Sequence, residues 1–152
     1  MQGEAAPTVI DVSAIAFDLD GTLLDTLHDL SATVNALLAE LGHPALSTDA
    51  VRAMIGKGMA NLVRRVLARV TGVAPDAVDG AEVKDALVRY EAHYAAQLGR
   101  GTLTFPGMTE GLARLSAMGI PLAVITNKST RFVRPHLAQA GIEHLFRIVV
   151  GG

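Results

Sequence analysis

Ala16-Phe17-Asp18-Leu19-Asp20-Gly21-Thr22-Leu23-Leu24-Asp25-Thr26 is the stretch whose reading decides the fold. The apolar run Ile15-Ala16-Phe17 delivers Asp18 and Asp20, and Gly21 then breaks the strand. Side chains two apart on a strand share a face, so a strand ending in D-x-D aims two acids at one spot. In open α/β sheets ligands bind beyond the carboxyl ends of the strands. Two like charges so close are costly unless a cation or a reaction uses them. The plainer reading, a strand followed by an ordinary Asp-Gly turn, also fits this spacing.

Downstream the pattern becomes helical. Val9 to Leu19 reads as the strand, and a helix is expected from Thr26, with Asp25 or Thr26 as its N-cap. Leu27, Leu30, Val34, Leu37, Leu38 and Leu41 form its apolar stripe, and Gly42-His43-Pro44 stops it. Ser47 can cap a short helix through Met54. Ile55-Gly56-Lys57-Gly58-Met59 then opens another helix, with Leu62, Val63, Val66, Leu67 and Val70 on one face. A Gly-rich turn at a helix N-terminus can bind an anion. An inter-helix turn with a solvated lysine is an equal alternative at Gly56, Lys57 and Gly58. A last helix, Ala81 to Leu98, turns Val83, Leu87, Tyr90, Tyr94 and Leu98 inward, and His93 beside that stripe reads as a surface or packing residue.

Strand signals return after Phe105-Pro106-Gly107. Met108, Leu112, Leu115 and Met118 mark a helix, and Leu122-Ala123-Val124-Ile125 is a strand running into Thr126-Asn127-Lys128. A helix from Thr130 to Ala140, with Pro135 near its first turn, leads to a third strand, Arg147 to Val150. Continuous apolar runs suit strands buried on both faces, and strands alternating with helices argue for a parallel sheet with right-handed crossovers. The predicted fold is therefore α/β: a Rossmann-like parallel core from residues 1–24 and 103–152, interrupted by an all-helical lobe over residues 25–102.

Composition bounds the function. At 152 residues, 50% hydrophobic and 18% charged, the chain reads as one soluble globular unit. A net charge of -2 argues against a nucleic-acid surface. No apolar run reaches the roughly 18 residues of a membrane span. Met1 to Ala6 lacks the pattern of a signal peptide and reads as a flexible lead-in. The absence of cysteine excludes thiolate metal sites and is compatible with a cytoplasmic location. His28, His43, His93, His136 and His144 lack the spacing of a zinc site and an evident nucleophile partner.

Two polar clusters follow predicted strands, Asp18/Asp20/Thr22 and Thr126/Asn127/Lys128. In a parallel sheet both fall on one edge and can face each other. Carboxylates suit a nucleophile, an acid/base and a Mg²⁺ ligand. A hydroxyl, an amide and an ammonium suit phosphate oxygens. Together they describe phosphoryl transfer through a covalent carboxylate intermediate.

Phe17 to Thr26 resembles the first signature motif of the haloacid dehalogenase superfamily, and Ile125-Thr126-Asn127-Lys128 its second. The helical lobe is similar to that superfamily's first cap class, and Gly56-Lys57-Gly58 to the cap loop of its phosphoglycolate phosphatase branch. The resemblance covers Ala14 to Gly152. It implies that Asp18 is the nucleophile and Asp20 the acid/base. Mg²⁺ would sit on the Asp18 carboxylate and the Asp20 backbone carbonyl. Gly21, Thr22, Thr126 and Asn127 would bind phosphate, while Gly56, Lys57 and Gly58 would read the substrate from the cap. An acid at the Asp20 position is kept by phosphatases and phosphomutases and lacking in dehalogenases and phosphonate-cleaving relatives. The implied partner is a small phosphorylated substrate, first 2-phosphoglycolate, with a monomer or homodimer as the assembly.

The family's third-motif lysine and fourth-motif acids are missing from the sequence, and Lys128 stands too early for the former. The chain is therefore expected to be the N-terminal part of a longer phosphatase, with its first strand left at an open edge and little activity alone. A sugar-phosphate phosphatase or β-phosphoglucomutase-like enzyme is the nearest alternative, and a non-catalytic binding fragment the alternative of another class.

Overall fold

A computed structural model describes residues 11–152. Three parallel strands, β1 (Ile15–Phe17), β4 (Leu122–Ile125) and β5 (Phe146–Val150), form a sheet in the order β1-β4-β5. Two short strands, β2 (Leu24–Asp25) and β3 (Leu103–Thr104), pair antiparallel. Between them lie helices α1 (Leu27–Glu40), α2 (Thr48–Arg52), α3 (Met59–Thr71) and α4 (Gly80–Gln97). Helix α5 (Met108–Ala117) precedes β4, and α6 (Thr130–Gln139) precedes β5. No helix of the described residues is long and apolar enough to cross a membrane.

Strand β1 is shorter than the expected run from Val9 to Leu19. Val9, Ile10 and the lead-in Met1 to Ala6 lie outside the described residues, and residues 11–14 are not strand. The partner sets this limit: the Ile15 amide donates to the Pro121 carbonyl at 3.0 Å, and Pro121 has no N–H with which to extend the ladder. Registers Ile15↔Leu122↔Phe146 and Phe17↔Val124↔Val149 put these six side chains on one face. Ala16, Ala123 and Ile148, then Ile125 and Val150, fall on the other.

Among the described residues, only the first face is covered. Leu122, Val124 and Phe146 pack with Leu112 of α5 and with Val133 and Leu137 of α6 in one buried cluster. On the other face Ile125, Ile148 and Val150 are exposed. The expectation of strands buried on both faces is thus corrected. Successive right-handed crossovers that step in one direction across a sheet put their helices on the same side. Here β1, β4 and β5 step one way only. Pro135 also falls in the second turn of α6 rather than the first, where its ring removes one helical hydrogen bond.

The insert has its own buried cluster, built from the stripes of α1, α3 and α4 and including Val34, Leu37, Val63, Val66, Tyr90 and Tyr94. Thr26 stands at the N-cap of α1 without a side-chain cap bond, and the Asp25 carboxylate just before it accepts from the Leu27 amide at 3.2 Å. Ser47 caps α2 by accepting from the Ala50 amide at 3.2 Å. His93, beside the inward stripe, bonds Glu40 at 2.7 Å on the surface.

The two crossings into and out of the insert are tied together. Leu24 pairs with Thr104 and Asp25 with Leu103. Beside this ribbon the buried Asp29 carboxylate of α1 accepts from the amides of Gly99 and Gly101, both at 2.6 Å, and from the Thr102 hydroxyl at 2.7 Å. With Thr102 donating to Asp29, its oxygen is free to accept from His136 Nε2 of α6, 2.7 Å away. His136 Nδ1 is buried without a partner. A proton there would have no acceptor, and burial, reinforced by the nearby Lys128 charge, pushes the ring's pKa down to about 4.

In the unfolded chain His136 takes its proton near the ordinary value of 6.5. Between 6.5 and about 4 the unfolded state binds more protons, so this stabilisation is complete above the upper value and is lost as pH falls toward the lower. We predict that chemical denaturation shows wild type losing about 2 kcal/mol more than His136→Gln between pH 7.5 and pH 5. Equal losses in the two proteins would remove His136 as the source.

Candidate active site

The pairing of β1 with β4 aligns Phe17 with Val124, so the residues that follow each strand emerge side by side. After β1 the chain wraps tightly around one carbonyl. Leu19 accepts from the amides of Thr22, Leu23 and Leu24 at 3.3, 3.0 and 3.1 Å. Gly21, at φ +80°, makes the turn, and its amide donates to the Leu24 carbonyl at 2.8 Å. The Asp20 carbonyl takes part in none of these backbone bonds. Asp18 is exposed and accepts from the Leu19 amide at 2.7 Å.

After β4 the loop from Thr126 to Ser129 is held from below. The Thr126 amide donates to the Val150 carbonyl at 3.1 Å, and the Gly152 amide to the Lys128 carbonyl at 2.9 Å. A Cβ on Gly151 would stand 2.6 Å from Thr130 Cα, a contact no side chain tolerates. A glycine pair directly after a strand was the available signal for this support.

Asp18, Asp20, Thr126, Asn127 and Lys128 line one cavity of about 100 Å³, and Gly56, Lys57 and Gly58 close it from the insert. Ile55, Met59, Leu30 and Leu62 supply apolar wall. Gly21 and Thr22 stand outside the lining, and both amides are committed within the turn, Thr22 to Leu19 and Gly21 to Leu24. Gly58 adopts φ 84° and ψ 172°, a conformation essentially confined to glycine. A Cβ there would meet the Asn127 carbonyl oxygen at 3.4 Å, so insert and sheet loops are in near contact. Lys57 holds φ 60° and is exposed.

Lys128 sits differently from its neighbours. It also lines the cavity, and its Nζ donates to both oxygens of Asp20, at 2.9 and 3.3 Å, and to the Tyr94 hydroxyl of α4. Burial pushes the ammonium's pKa down, and the Asp20 charge opposes that shift. Tyr94 is held well above the usual phenol range by burial first and the Asp20 charge second. Sequence spacing placed Tyr94 in the apolar stripe and Lys128 among phosphate ligands. It carried no sign that the two meet.

For metal binding the donor set is hard oxygen: the Asp18 carboxylate and the free Asp20 carbonyl. Among the described residues no group of three or more His, Cys, Asp or Glu stands together. A site with one or two carboxylates, completed by water and substrate phosphate, matches how Mg²⁺ is usually held.

Comparison with known proteins follows this geometry. The family model for haloacid dehalogenase-like hydrolases matches residues 15–152. A phosphoglycolate phosphatase of Pseudomonas syringae pv. syringae is 43% identical over 138 residues, covering 91% of this chain and 50% of its own length. One from Thiobacillus denitrificans is 36% identical over 143 residues, covering 94% of this chain and 62% of its own. The crystal structure of a predicted phosphoglycolate phosphatase from Haemophilus somnus superimposes with a TM-score of 0.84 at 35% identity, over 92% of this chain and 62% of that one. The chain thus spans about half to three-fifths of the length of these relatives.

Gly58→Ala should lower the stability by on the order of 1–3 kcal/mol, because the strained conformation is unavailable to alanine. Gly111→Ala, in the interior of α5 with nothing within 4 Å of a new Cβ, should instead raise it by about 0.5–1 kcal/mol. Thermal unfolding of both variants tests the pair. Equal effects would contradict the special geometry at Gly58.

Proposed function

This chain belongs to the haloacid dehalogenase-like hydrolase family, and on that footing we propose that it is the catalytic part of a Mg²⁺-dependent phosphatase acting on a small phosphorylated acid, 2-phosphoglycolate first. The observation that carries the proposal is the convergence of two strand ends under the insert's glycine loop. It sets Asp18 and Asp20 against Thr126 and Asn127 in one cavity. A volume of about 100 Å³ supports a substrate well below the drug-sized ligands of roughly 300–1,000 Å³ pockets.

In the proposed mechanism the exposed Asp18 carboxylate attacks phosphorus, and the bond from phosphorus to the substrate's alkoxide oxygen breaks. Asp20 gives its proton to that oxygen. The resulting aspartyl-phosphate on Asp18 is then attacked by water, whose proton Asp20 takes back, and inorganic phosphate leaves. Thr126 and Asn127 hold the transferring group with hydroxyl and amide donors. The Asp18 carboxylate and the Asp20 carbonyl would hold Mg²⁺, which supplies charge neutralisation for the phosphoryl oxygens when bound. Gly56, Lys57 and Gly58, in a cap spanning residues 25–102, would receive the substrate's carboxylate. The Gly21–Thr22 turn serves the phosphate site by shaping the loop, since its amides are already engaged.

The test exchanges the matched segment of the Pseudomonas syringae relative for residues 15–152 of this chain. We expect the folded chimera to hydrolyse 2-phosphoglycolate in preference to hexose phosphates, and residues 1–152 alone to do so far more slowly. Asp18→Asn in the chimera should cost at least roughly a thousandfold in kcat. Retained turnover in Asp18→Asn would remove Asp18 as nucleophile. Preference for hexose phosphates would move the assignment to the sugar-phosphate enzymes.

A further inference from the structure

Lys128 has no part in the phosphoryl chemistry above, yet its side chain is 1% exposed and fully committed. An ammonium has three N–H donors. Here three acceptor atoms meet them: the two Asp20 oxygens, at 2.9 and 3.3 Å, and the Tyr94 hydroxyl. The nitrogen also lies 4.7 Å from the centre of the Tyr94 ring, within reach of its negative face.

These partners come from different parts of the molecule. Asp20 follows β1 of the sheet, whereas Tyr94 belongs to α4 of the insert. Tyr94 is fully buried, stacked on Tyr90 with centroids 6.0 Å apart and met edge-on by Phe132 of α6 at 5.0 Å. Its hydroxyl donors and acceptors are therefore found inside the protein. If the insert lifts from the sheet, Tyr94 leaves with α4, and water reaches the ammonium. An exposed Lys–Asp pair holds neither side chain in a single geometry. With the insert seated, the ammonium is shielded from water while Asp20 still faces the cavity, and the ammonium's geometry is fixed from both ends.

We propose that Lys128 is a positioning residue for the Asp20 carboxylate, and that the Tyr94 hydroxyl makes its grip conditional on the insert being seated over the site. One buried ammonium then couples closure of the helical lobe to the orientation of the acid/base. The proposal rests on the assignment of Asp20 to that role under the proposed function. Lys128 lines the cavity, and its three N–H donors are taken by Asp20 and Tyr94, so it acts through Asp20.

The chain has three lysines, Lys57, Lys84 and Lys128, and the first two are exposed. Nuclear magnetic resonance of the protein with isotope-labelled lysine and aspartate therefore isolates the contact. In wild type the Lys128 ammonium should give a signal that resists exchange with water, while those of Lys57 and Lys84 are lost to it. Tyr94→Phe keeps the ring and its stacking and removes only the hydroxyl. It should speed exchange at Lys128 by roughly tenfold or more and move the Asp20 carboxyl signal, leaving backbone signals remote from α4 in place. Asp20→Asn is the second variant and should release the same ammonium from the sheet side. A Lys128 signal and an Asp20 signal unmoved in Tyr94→Phe would overturn the proposal. An inactive chimera would sink the phosphatase reading without altering these signals, so the two failures are told apart.

Discussion

The parallel pairing of β1 with β4 is the constraint on which the rest depends. It spans only three residue pairs, Ile15 to Phe17 against Leu122 to Val124. Because parallel strands run the same way, their carboxyl ends emerge together, and whatever follows each strand becomes a neighbour. A slip of one residue would turn Phe17 and Val124 to the open face and carry Asp18 and Asp20 away from Thr126 and Asn127. The buried face of the sheet fixes that register, with Leu122, Val124 and Phe146 packed under α5 and α6. Site geometry here is a by-product of core packing.

Charge is the second organising term. Asp18 and Asp20 stand two residues apart and would repel if left alone. The structure separates their environments: Asp18 is exposed and bonded to the Leu19 amide, while Asp20 is paired with a buried ammonium. Two carboxylates in unlike surroundings can take unlike tasks. The buried cation carries its own desolvation cost, visible in the downward push on its pKa, and three acceptors offset it. The insert meets the strand-end loops through Tyr94 and through the close approach of Gly58 to Asn127, besides the wall it gives the cavity.

Much of this was legible from local pattern. The D-x-D-G motif, the strand at Leu122 to Ile125 and the helical stripes between them each announce themselves within a few residues, and the boundaries fall close to those expected. What stayed hidden is non-local. β1 ends where its partner's Pro121 ends it, which no reading of Val9 to Leu19 reveals. The open sheet face follows from the direction in which successive crossovers step, a property of the whole order of strands. Asp29, placed in the polar face of α1 by any helical wheel, is buried because it meets Gly99, Gly101 and Thr102 some seventy residues on. His136 fitted no zinc spacing, and its bond to the Thr102 hydroxyl is equally invisible in local pattern. Lys128 reads as a phosphate donor from its place after β4, and nothing local reveals its partners Asp20 and Tyr94.

The central claim is that the strand ends form a phosphoryl-accepting site in which Asp18 takes the group and Asp20 moves the proton. An aryl phosphate separates the two tasks, because its phenolate leaving group departs without a proton donor. In the Asp20→Asn form of the chimera, Asp18 should still be phosphorylated by the aryl ester, while the water that would clear it lacks its base. Acid quenching followed by peptide mass analysis is the direct measurement. The account predicts one added phosphoryl group on the peptide containing Asp18. No added group, or one on any other residue, would contradict it.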